Sequence, residues 1–219
     1  MIETIRFNKV LPNVFAGSPP EGGPSDVWEQ DLTFEKGRSY LIEAASGRGK
    51  SSFCSFLCGL RSDYQGRIEL LDKDGHALDT TDKDMCLLRR TSLALMFQDH
   101  RLFPELTALE NVMLKNLLTE HCTEEQVRHM LCTLGLQEKL HTPCAKLSLG
   151  QQQRVAFVRM LAQPADFFLL DEPISHLDSR NAEIMSTLLQ QRQQQDGVGV
   201  IVTSIGNRLP YAYDTIIRL

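Results

Sequence analysis

Lys50 and Ser51 close a stretch of small residues suited to hold phosphate groups, AASGRGKSS at positions 44–52. Gly47 and Gly49 let the backbone curl so that successive N–H groups converge on one anion. The Lys50 ammonium group can then reach the outer phosphates of a nucleoside triphosphate, and the Ser51 hydroxyl can ligate Mg²⁺. Because a strand pattern precedes the stretch and a helix pattern follows it, we favour ATP binding over an ordinary glycine-rich turn. The residues expected to contact ATP are Ala44, Ala45, Ser46, Gly47, Arg48, Gly49, Lys50, Ser51 and Ser52.

Two adjacent carboxylates, Asp171 and Glu172, follow four apolar residues in the segment FFLLDEP. An aspartate at the end of a strand can hold Mg²⁺ through water, and the next glutamate can polarise the attacking water. An acidic residue that merely ends a strand is the alternative interpretation. Together with the loop at 44–52, the pair predicts ATP hydrolysis, with Asp171 at the metal and Glu172 as a catalytic residue.

Strand and helix patterns place these two groups of residues next to the ends of strands. Continuous apolar runs such as VGVIVT suit strands that are covered on both faces of a parallel sheet. Helical spacing predicts a helix from Ser51, with Leu60 on its apolar face, and a helical block from Glu105 to about Leu140. The predicted strands lie at 4–7, 31–34, 40–42, 93–97, 167–170, 198–203 and 215–219.

Turn-forming residues mark two further connections. Asp74-Gly75 stands between strand-like arms and predicts a hairpin. The segment AGSPPEGGPSD, residues 16–26, is rich in proline and glycine and predicts an exposed loop.

The bulk composition restricts the classes of partner. The net charge of −5 without a basic block argues against nucleic acid, whose phosphates require many cationic contacts. No run approaches the roughly 18 apolar residues of a membrane span, and Met1–Val10 is charged and alternating, unlike a signal peptide. We therefore expect a cytosolic protein unless a partner tethers it. The six cysteines show no C-x-x-C spacing and are interpreted as reduced core residues.

The segment LSLGQQQR, residues 147–154, resembles the LSGGQ signature of ATP-binding cassette (ABC) ATPases. Ser148, Gly150 and Gln151 match that pattern, while the stretch at 44–52 resembles the Walker A loop, G-x-x-x-x-G-K-[ST], and FFLLDEP resembles Walker B. In the family, the signature opens a helix whose N-terminus faces the γ-phosphate bound by the other subunit. The resemblance implies that Ser148, Gly150 and Gln151 contact ATP across a homodimer.

Other segments resemble family motifs in the same order. Gln98, in MFQDHRLFPELTALENV, is similar to the Q-loop glutamine, which implies a catalytic and metal-binding role. SHLD, residues 175–178, resembles the D-loop at the dimer seam. Phe15, in NVFAG, occupies the position of the aromatic residue that stacks on adenine, and a packing role in the core is the alternative.

Three positions depart from the family pattern. Ala44 replaces the first Walker A glycine. If the backbone at this position has a positive φ, alanine destabilises the loop by on the order of 1 kcal/mol. If the position lies in the β region, the case we favour, alanine costs almost nothing. Leu149 replaces a signature glycine, and its branched side chain crowds the phosphate or the facing loop. Ser204 stands where the family has a histidine that contacts the γ-phosphate. Loss of one positioned donor costs roughly 10² to 10³ in rate, part of which the serine hydroxyl can recover, so we expect slowed hydrolysis with Ser204 at a catalytic position.

The resemblance implies an α/β fold of the P-loop NTPase type. It implies a RecA-like core with a mixed sheet flanked by helices, an N-terminal antiparallel β region and an inserted α-helical subdomain. We expect a single domain over 1–219, with the core at 1–98 and 155–219 and the helical subdomain at 99–154.

The resemblance also implies the cofactors and partners: ATP and Mg²⁺, a homodimer formed on ATP binding, and an integral membrane subunit of an ABC transporter. The expected location is cytoplasmic and peripheral, on the inner face of the cell membrane. Residues 97–118 look most like short ATPases that serve lipoprotein release, macrolide efflux and cell division, with solute import as the alternative. A nucleotide-gated regulatory switch, in which hydrolysis only resets the protein, stays open as a second function. We expect no nucleic-acid partner.

Overall fold

The fold was obtained as a computed structural model that describes residues 1–17 and 24–219. The exposed loop predicted over residues 16–26 lies mostly outside these described residues. The helices are α1 (Lys50–Leu57), α2 (Asp82–Thr91), α3 (Ala108–Asn116), α4 (Glu124–Thr133), α5 (Leu149–Leu161) and α6 (Ser179–Asp196). The strands are β1 (Thr4–Pro12), β2 (Asp31–Glu35), β3 (Ser39–Glu43), β4 (Tyr64–Leu71), β5 (Leu93–Met96), β6 (Phe167–Asp171), β7 (Gly199–Ser204) and β8 (Thr215–Arg218).

Strands β5, β6, β7, β3 and β8 form the core sheet in that order, and each neighbouring pair is parallel. All residues of β6 and β7 are buried, as their continuous apolar runs predict. We expected a mixed core sheet. Among the described strands, antiparallel pairs occur instead only in a separate sheet of β2, β1 and β4, because crossover connections return the chain to the same edge of the core sheet before each core strand. The carboxyl ends of β3, β6 and β7 therefore share one edge.

The helical block consists of α3, α4 and the first part of α5, packed around one apolar cluster. Thr107 and Thr123 begin α3 and α4 with reciprocal capping hydrogen bonds, which satisfy backbone N–H groups that the first helical turn leaves unpaired. Helix α5 runs without a break through the expected boundary between residues 154 and 155. Helix α5 thus contributes residues to both the predicted helical subdomain and the predicted core, and the subdomain boundaries stay a prediction.

Several local predictions differ from the structure. Helix α1 ends at Leu57, and Leu60 lies beyond it with 40% of its surface exposed. The hairpin at Asp74-Gly75 is only a tight turn, closed by a bridge between Leu71 and Ala77. Helix α2 was not predicted: Met85 is its only buried residue, and half of its ten residues are charged.

The six cysteines are free thiols, but only half of them lie in the core. Cys54, Cys58 and Cys144 are buried and Cys122 is half-buried. Cys86 and Cys132 are exposed on the outer faces of α2 and α4, so the core prediction is wrong for these two. Among the described helices, none is both long and apolar enough to cross a bilayer.

Candidate functional site

The glycine-rich loop joins the end of β3 to the start of α1, as the sequence predicts. Gly47 and Gly49 have φ values of 81° and 96°, a region that side chains rarely tolerate. Six non-glycine residues of the described chain have positive φ, and Ala44 is not among them. The Ala44 N–H donates to the carbonyl of Ser204 at 3.2 Å, continuing the β3–β7 pairing. Alanine in place of the first glycine therefore carries no backbone strain.

Trp28 packs against this loop, a contact that no sequence motif indicated. Its indole N–H donates to the carbonyl of Arg48 at 3.1 Å, and only 4% of its surface is exposed. A Cβ atom on Gly49 would lie 2.9 Å from the Trp28 ring and 3.2 Å from the Phe15 ring. Two aromatic rings thus press against the loop at the position that only glycine can occupy.

Replacement of Trp28 by phenylalanine should weaken ATP binding by about threefold to tenfold. The change keeps most of the ring volume but removes the indole N–H that donates to the Arg48 carbonyl, and one such hydrogen bond is worth about 0.5–1.5 kcal/mol. Calorimetric titration with ATP measures the effect. Tyr40→Phe is the matched control, because it removes a buried aromatic hydroxyl that accepts a hydrogen bond from the Glu35 N–H. Equal affinities in wild type and Trp28→Phe would show that the indole does not position the loop.

Lys50 lies inside the loop with 5% of its surface exposed. Its ammonium group donates to the carbonyls of Ala44 at 3.1 Å and Ala45 at 2.8 Å and lies 3.7 Å from Oε1 of Glu172. Burial lowers the pKa of Lys50, and the charges of Glu172 and Asp171 act in the opposite direction. The Lys50 ammonium group is therefore positioned so that phosphate oxygens can replace the two carbonyl groups as its hydrogen-bond acceptors.

Glu172, Gln98 and Ser51 form a polar chain beside Lys50. The Gln98 amide donates to Oε2 of Glu172 at 3.3 Å, and the Ser51 hydroxyl donates to Oε1 of Gln98 at 3.4 Å. Burial raises the pKa of Glu172, Lys50 lowers it, and Asp171 raises it further. Glu172 also has a φ of 51°, an uncommon conformation for a residue with a side chain. The structure thus brings together the residues predicted from three separate motifs.

Asp171 ends β6 close to the same group. The Thr203 hydroxyl donates to its Oδ1 at 2.6 Å, which fixes one carboxylate oxygen. Asp171, Ser51 and Gln98 line a common cavity of about 450 Å³. A carboxylate, a hydroxyl and an amide carbonyl are the oxygen ligands that Mg²⁺ prefers. The donor set therefore fits a magnesium ion, although the metal role of the three residues stays a prediction.

Ser204 ends β7 next to the loop, but its hydroxyl group points elsewhere. The residue is 2% exposed, and Oγ donates to the carbonyl of Asn207 at 2.6 Å. Because the hydroxyl hydrogen is bonded to the Asn207 carbonyl, it is not available to a phosphate in this conformation. The structure therefore does not support the expectation that the serine hydroxyl replaces part of the histidine's contact with the γ-phosphate. A nearby phosphate would have to displace that bond.

The signature segment forms the capped start of α5. The Ser148 hydroxyl accepts from the Gln151 N–H at 3.3 Å, and the Gln151 side chain accepts from the Ser148 N–H at 2.9 Å. A Cβ atom on Gly150 would lie 2.6 Å from the carbonyl of His176, so glycine is required there by close packing against the D-loop segment. Leu149 is 55% exposed at the first turn. The helix start thus presents Ser148 and the Leu149 side chain at the surface.

Phe15 lies in a short 3₁₀ turn, Asn13–Phe15. Its ring is half-buried and packs against Trp28 with centroids 6.4 Å apart. The residue is therefore next to the phosphate loop, and adenine stacking stays a prediction.

Two histidines connect the Q-loop and D-loop segments. The rings of His100 and His176 meet edge to face with centroids 6.1 Å apart. His100 is buried, with 4% of its surface exposed. The side chain of Gln153 in α5 donates to the Glu172 carbonyl and accepts from the His176 N–H. These contacts join the helix of the signature to both segments beside the site.

Comparisons with known proteins agree with this geometry. The sequence model of the ABC transporter family matches residues 28–175. The lipoprotein-releasing system ATP-binding protein LolD of Aquifex aeolicus (strain VF5) is 40% identical over 156 residues, covering 69% of this chain and 68% of the relative. LolD of Legionella pneumophila (strain Lens) is 33% identical over 192 residues, covering 86% and 84%. LolD of Ruegeria sp. (strain TM1040) is 30% identical over 220 residues, covering 99% and 95%.

A solved structure described as a dimeric bacterial ABC transporter cassette superimposes with a TM-score of 0.80 and 26% identity, covering 98% of this chain and 94% of that one. A dimeric cassette in a post-hydrolysis state, bound to ADP and phosphate, gives a TM-score of 0.76 at 26% identity, covering 93% and 88%. The predicted α/β fold of the P-loop type is confirmed. The chain belongs to the ABC transporter family, as an ATP-binding subunit that hydrolyses ATP.

Proposed function

We propose that two copies of the chain enclose ATP between them, with residues 44–52 of one copy facing the start of α5 in the other. The supporting observation is the capped helix start at Ser148, which is exposed together with Leu149. A helix N-terminus carries partial positive charge and N–H groups that suit phosphate oxygens. A similar cassette has been solved as a dimer in two structures. Each copy then supplies one half of two composite sites.

Within each site, different residues bind the phosphates, bind the metal and accept the proton of the attacking water. Lys50 and the loop N–H groups hold the phosphates, and Ser51, Gln98 and Asp171 would hold Mg²⁺, which neutralises charge on the phosphates when bound. Glu172 accepts a proton from the attacking water, because it is the carboxylate with a raised pKa beside Lys50. The carrying observation is the contact of Lys50, Glu172 and Gln98 at one sheet edge.

The conformation of Ser204 supports a second candidate function, a nucleotide-gated regulatory switch. Its hydroxyl is engaged by Asn207, so the residue supplies no free donor where charge develops on the γ-phosphate. Slow hydrolysis would hold the closed dimer longer and suit a nucleotide-gated switch of a membrane complex. The two functions differ in turnover and not in the site that binds ATP.

The proposed partner is an integral membrane subunit that docks in one groove of the surface. This docking groove, about 360 Å³ in volume, runs between the core and α3. It is lined by Cys58, Leu60, Arg89, Leu93, Leu95, Phe97, Arg101, Phe103, Asn111, Leu114, Lys115, Leu118, Arg159, Met160 and Gln163. Several of its apolar side chains are exposed, among them Phe103 at 51% and Leu114 at 44%. An apolar groove of this kind suits a helix of another protein, and we propose a peripheral location on the inner face of the membrane.

Membrane fractionation tests this proposal. The tagged wild-type chain should sediment with membranes and co-purify with one integral protein after detergent extraction, while Phe103→Asp should lose both properties. Leu87→Asp is the matched control, because Leu87 is 55% exposed on α2 outside the groove lining. Membrane association that persists in Phe103→Asp would place the partner elsewhere.

A further inference from the structure

Arg61 and Ser52 form a polar contact beside the loop at 44–52. Nη1 of Arg61 donates to Oγ of Ser52 at 2.9 Å, although the two residues are nine positions apart. Ser52 lies in the first turn of α1 and is among the residues expected to contact ATP. Arg61 follows the end of that helix and belongs to no motif that the sequence indicated. It reaches the candidate ATP site through the serine hydroxyl.

The Arg61 guanidinium is held in place on two other sides. Its Nε and Nη2 atoms donate to the two carboxylate oxygens of Asp63, the first at 2.8 Å, and its central carbon lies 5.3 Å from the centroid of the Phe56 ring. A planar guanidinium that is paired bidentately is fixed in its orientation. The Asp63 carbonyl accepts from the Asn13 N–H at 2.9 Å, which connects this segment to the 3₁₀ turn that contains Phe15. The surrounding fold therefore orients Arg61.

The bond from Arg61 occupies a lone pair of the Ser52 oxygen and leaves the hydroxyl hydrogen available. A serine hydroxyl has one hydrogen to donate and two lone pairs that accept. Thr91 and Thr133 donate their hydroxyl hydrogens to the carbonyl four residues earlier in their own helices. Among the residues that the structure describes, Ser52 has no such acceptor and only receives a bond. A cation bound to the oxygen also polarises the O–H group, which strengthens its donation to an anion.

We propose that Arg61 is a positioning residue of the ATP site, which holds the Ser52 hydroxyl so that its hydrogen is donated to a phosphate group of the nucleotide. The inference deepens the proposed function and rests on its placement of the phosphates at the loop 44–52. Because Asp63 neutralises the charge of Arg61, the guanidinium contributes orientation and not long-range attraction. Lysine cannot replace it, since an ammonium group on a flexible stem does not reproduce the fixed fork.

A double-mutant cycle between Arg61 and Ser52 tests the inference. By calorimetric titration with ATP, Ser52→Ala and Arg61→Ala should each weaken binding by about threefold to tenfold, since each removes one oriented hydrogen bond to the phosphates. The double variant should be no more than about twofold weaker than Ser52→Ala, because without the hydroxyl Arg61 has nothing to orient. Arg61→Lys should bind ATP as weakly as Arg61→Ala.

Steady-state kinetics distinguish this role from a general loosening of the fold. Arg61→Ala should raise KM for ATP by about threefold to tenfold and leave kcat within about twofold of wild type, because the bond holds the phosphate equally before and during hydrolysis. Arg128→Ala is the matched control, since it removes an exposed arginine that pairs with Glu124 in α4, and it should change neither value. If Arg61→Ala does not fold, Asp63→Asn replaces it in the cycle, because it releases the guanidinium and should show the same non-additivity with Ser52→Ala.

Wild-type affinity for ATP in Arg61→Ala or Arg61→Lys would overturn the inference. So would effects of the two alanine substitutions that multiply in the double variant, or a loss in Arg61→Ala with none in Ser52→Ala. Lys50→Ala recognises a failure of the proposed function separately. If ATP binding survives in Lys50→Ala, the phosphates do not lie in the loop; if it is lost, the loop site stands whatever the Arg61 variants show.

Discussion

Replacement of Glu172 by glutamine should lower the rate of ATP hydrolysis by about 10²- to 10⁴-fold while ATP still binds. The amide keeps the size of the side chain and can still contact Gln98, but it cannot accept the proton of the attacking water. It also leaves Lys50 without its nearby carboxylate, which favours retention of phosphate by the ammonium group. Release of phosphate under saturating ATP measures the rate, and calorimetry measures the binding.

The matched control is Glu35→Gln, an exposed glutamate that pairs with Arg38 far from the loop at 44–52. Its turnover should equal that of the wild type. The wild-type rate should also fall on acidification at a higher pH than protonation of an exposed glutamate requires, because burial raises the pKa of Glu172. Hydrolysis by Glu172→Gln within about threefold of wild type would exclude Glu172 as the proton acceptor.

Replacement of Ser204 by histidine should raise turnover by about tenfold to 10²-fold. An imidazole N–H at the end of β7 adds a donor next to the loop, where the present hydroxyl donates to the Asn207 carbonyl instead. Steady-state ATPase assays with the partner-free chain measure the gain. A rate for Ser204→His no greater than that of the wild type would contradict the account of slowed hydrolysis.

Ser204→Ala distinguishes a contribution of the serine hydroxyl to hydrolysis from the effect of the missing histidine donor. Because the serine hydroxyl hydrogen is not free, its removal should leave turnover within about twofold of wild type. A large loss in Ser204→Ala would show that the hydroxyl turns toward the phosphate during the reaction. A gain in Ser204→His together with no loss in Ser204→Ala would place the defect at the missing donor.

Short motifs were the part of the site that the sequence predicted well. Gly47, Gly49 and Lys50 mark the loop by residue type, and the apolar run at 40–42 shows which strand precedes it. Asp171 and Glu172 follow an apolar run long enough to identify a buried strand. The chain order of these motifs then places them at one edge of a parallel sheet, since each strand ends on the same side.

Contacts between distant segments were not predictable in the same way. Trp28 reaches the Arg48 carbonyl only because β2 and α1 pack together, and a single tryptophan before a strand carries no signal of that contact. The bond from Ser204 to Asn207 depends on the turn after β7, which residue type does not specify. Three cations of the docking groove, Arg89, Lys115 and Arg159, come from three different helices, α2, α3 and α5, so their proximity could be seen only in the fold.

Sedimentation of the Glu172→Gln variant with and without Mg²⁺ and ATP tests the central claim most directly, namely that ATP is enclosed between two copies. The account predicts a shift from a species of 24.8 kDa to one of about twice that mass only when ATP is present, with Lys50→Ala remaining monomeric. A variant that binds ATP by calorimetry and still sediments as a monomer at saturating nucleotide would contradict it.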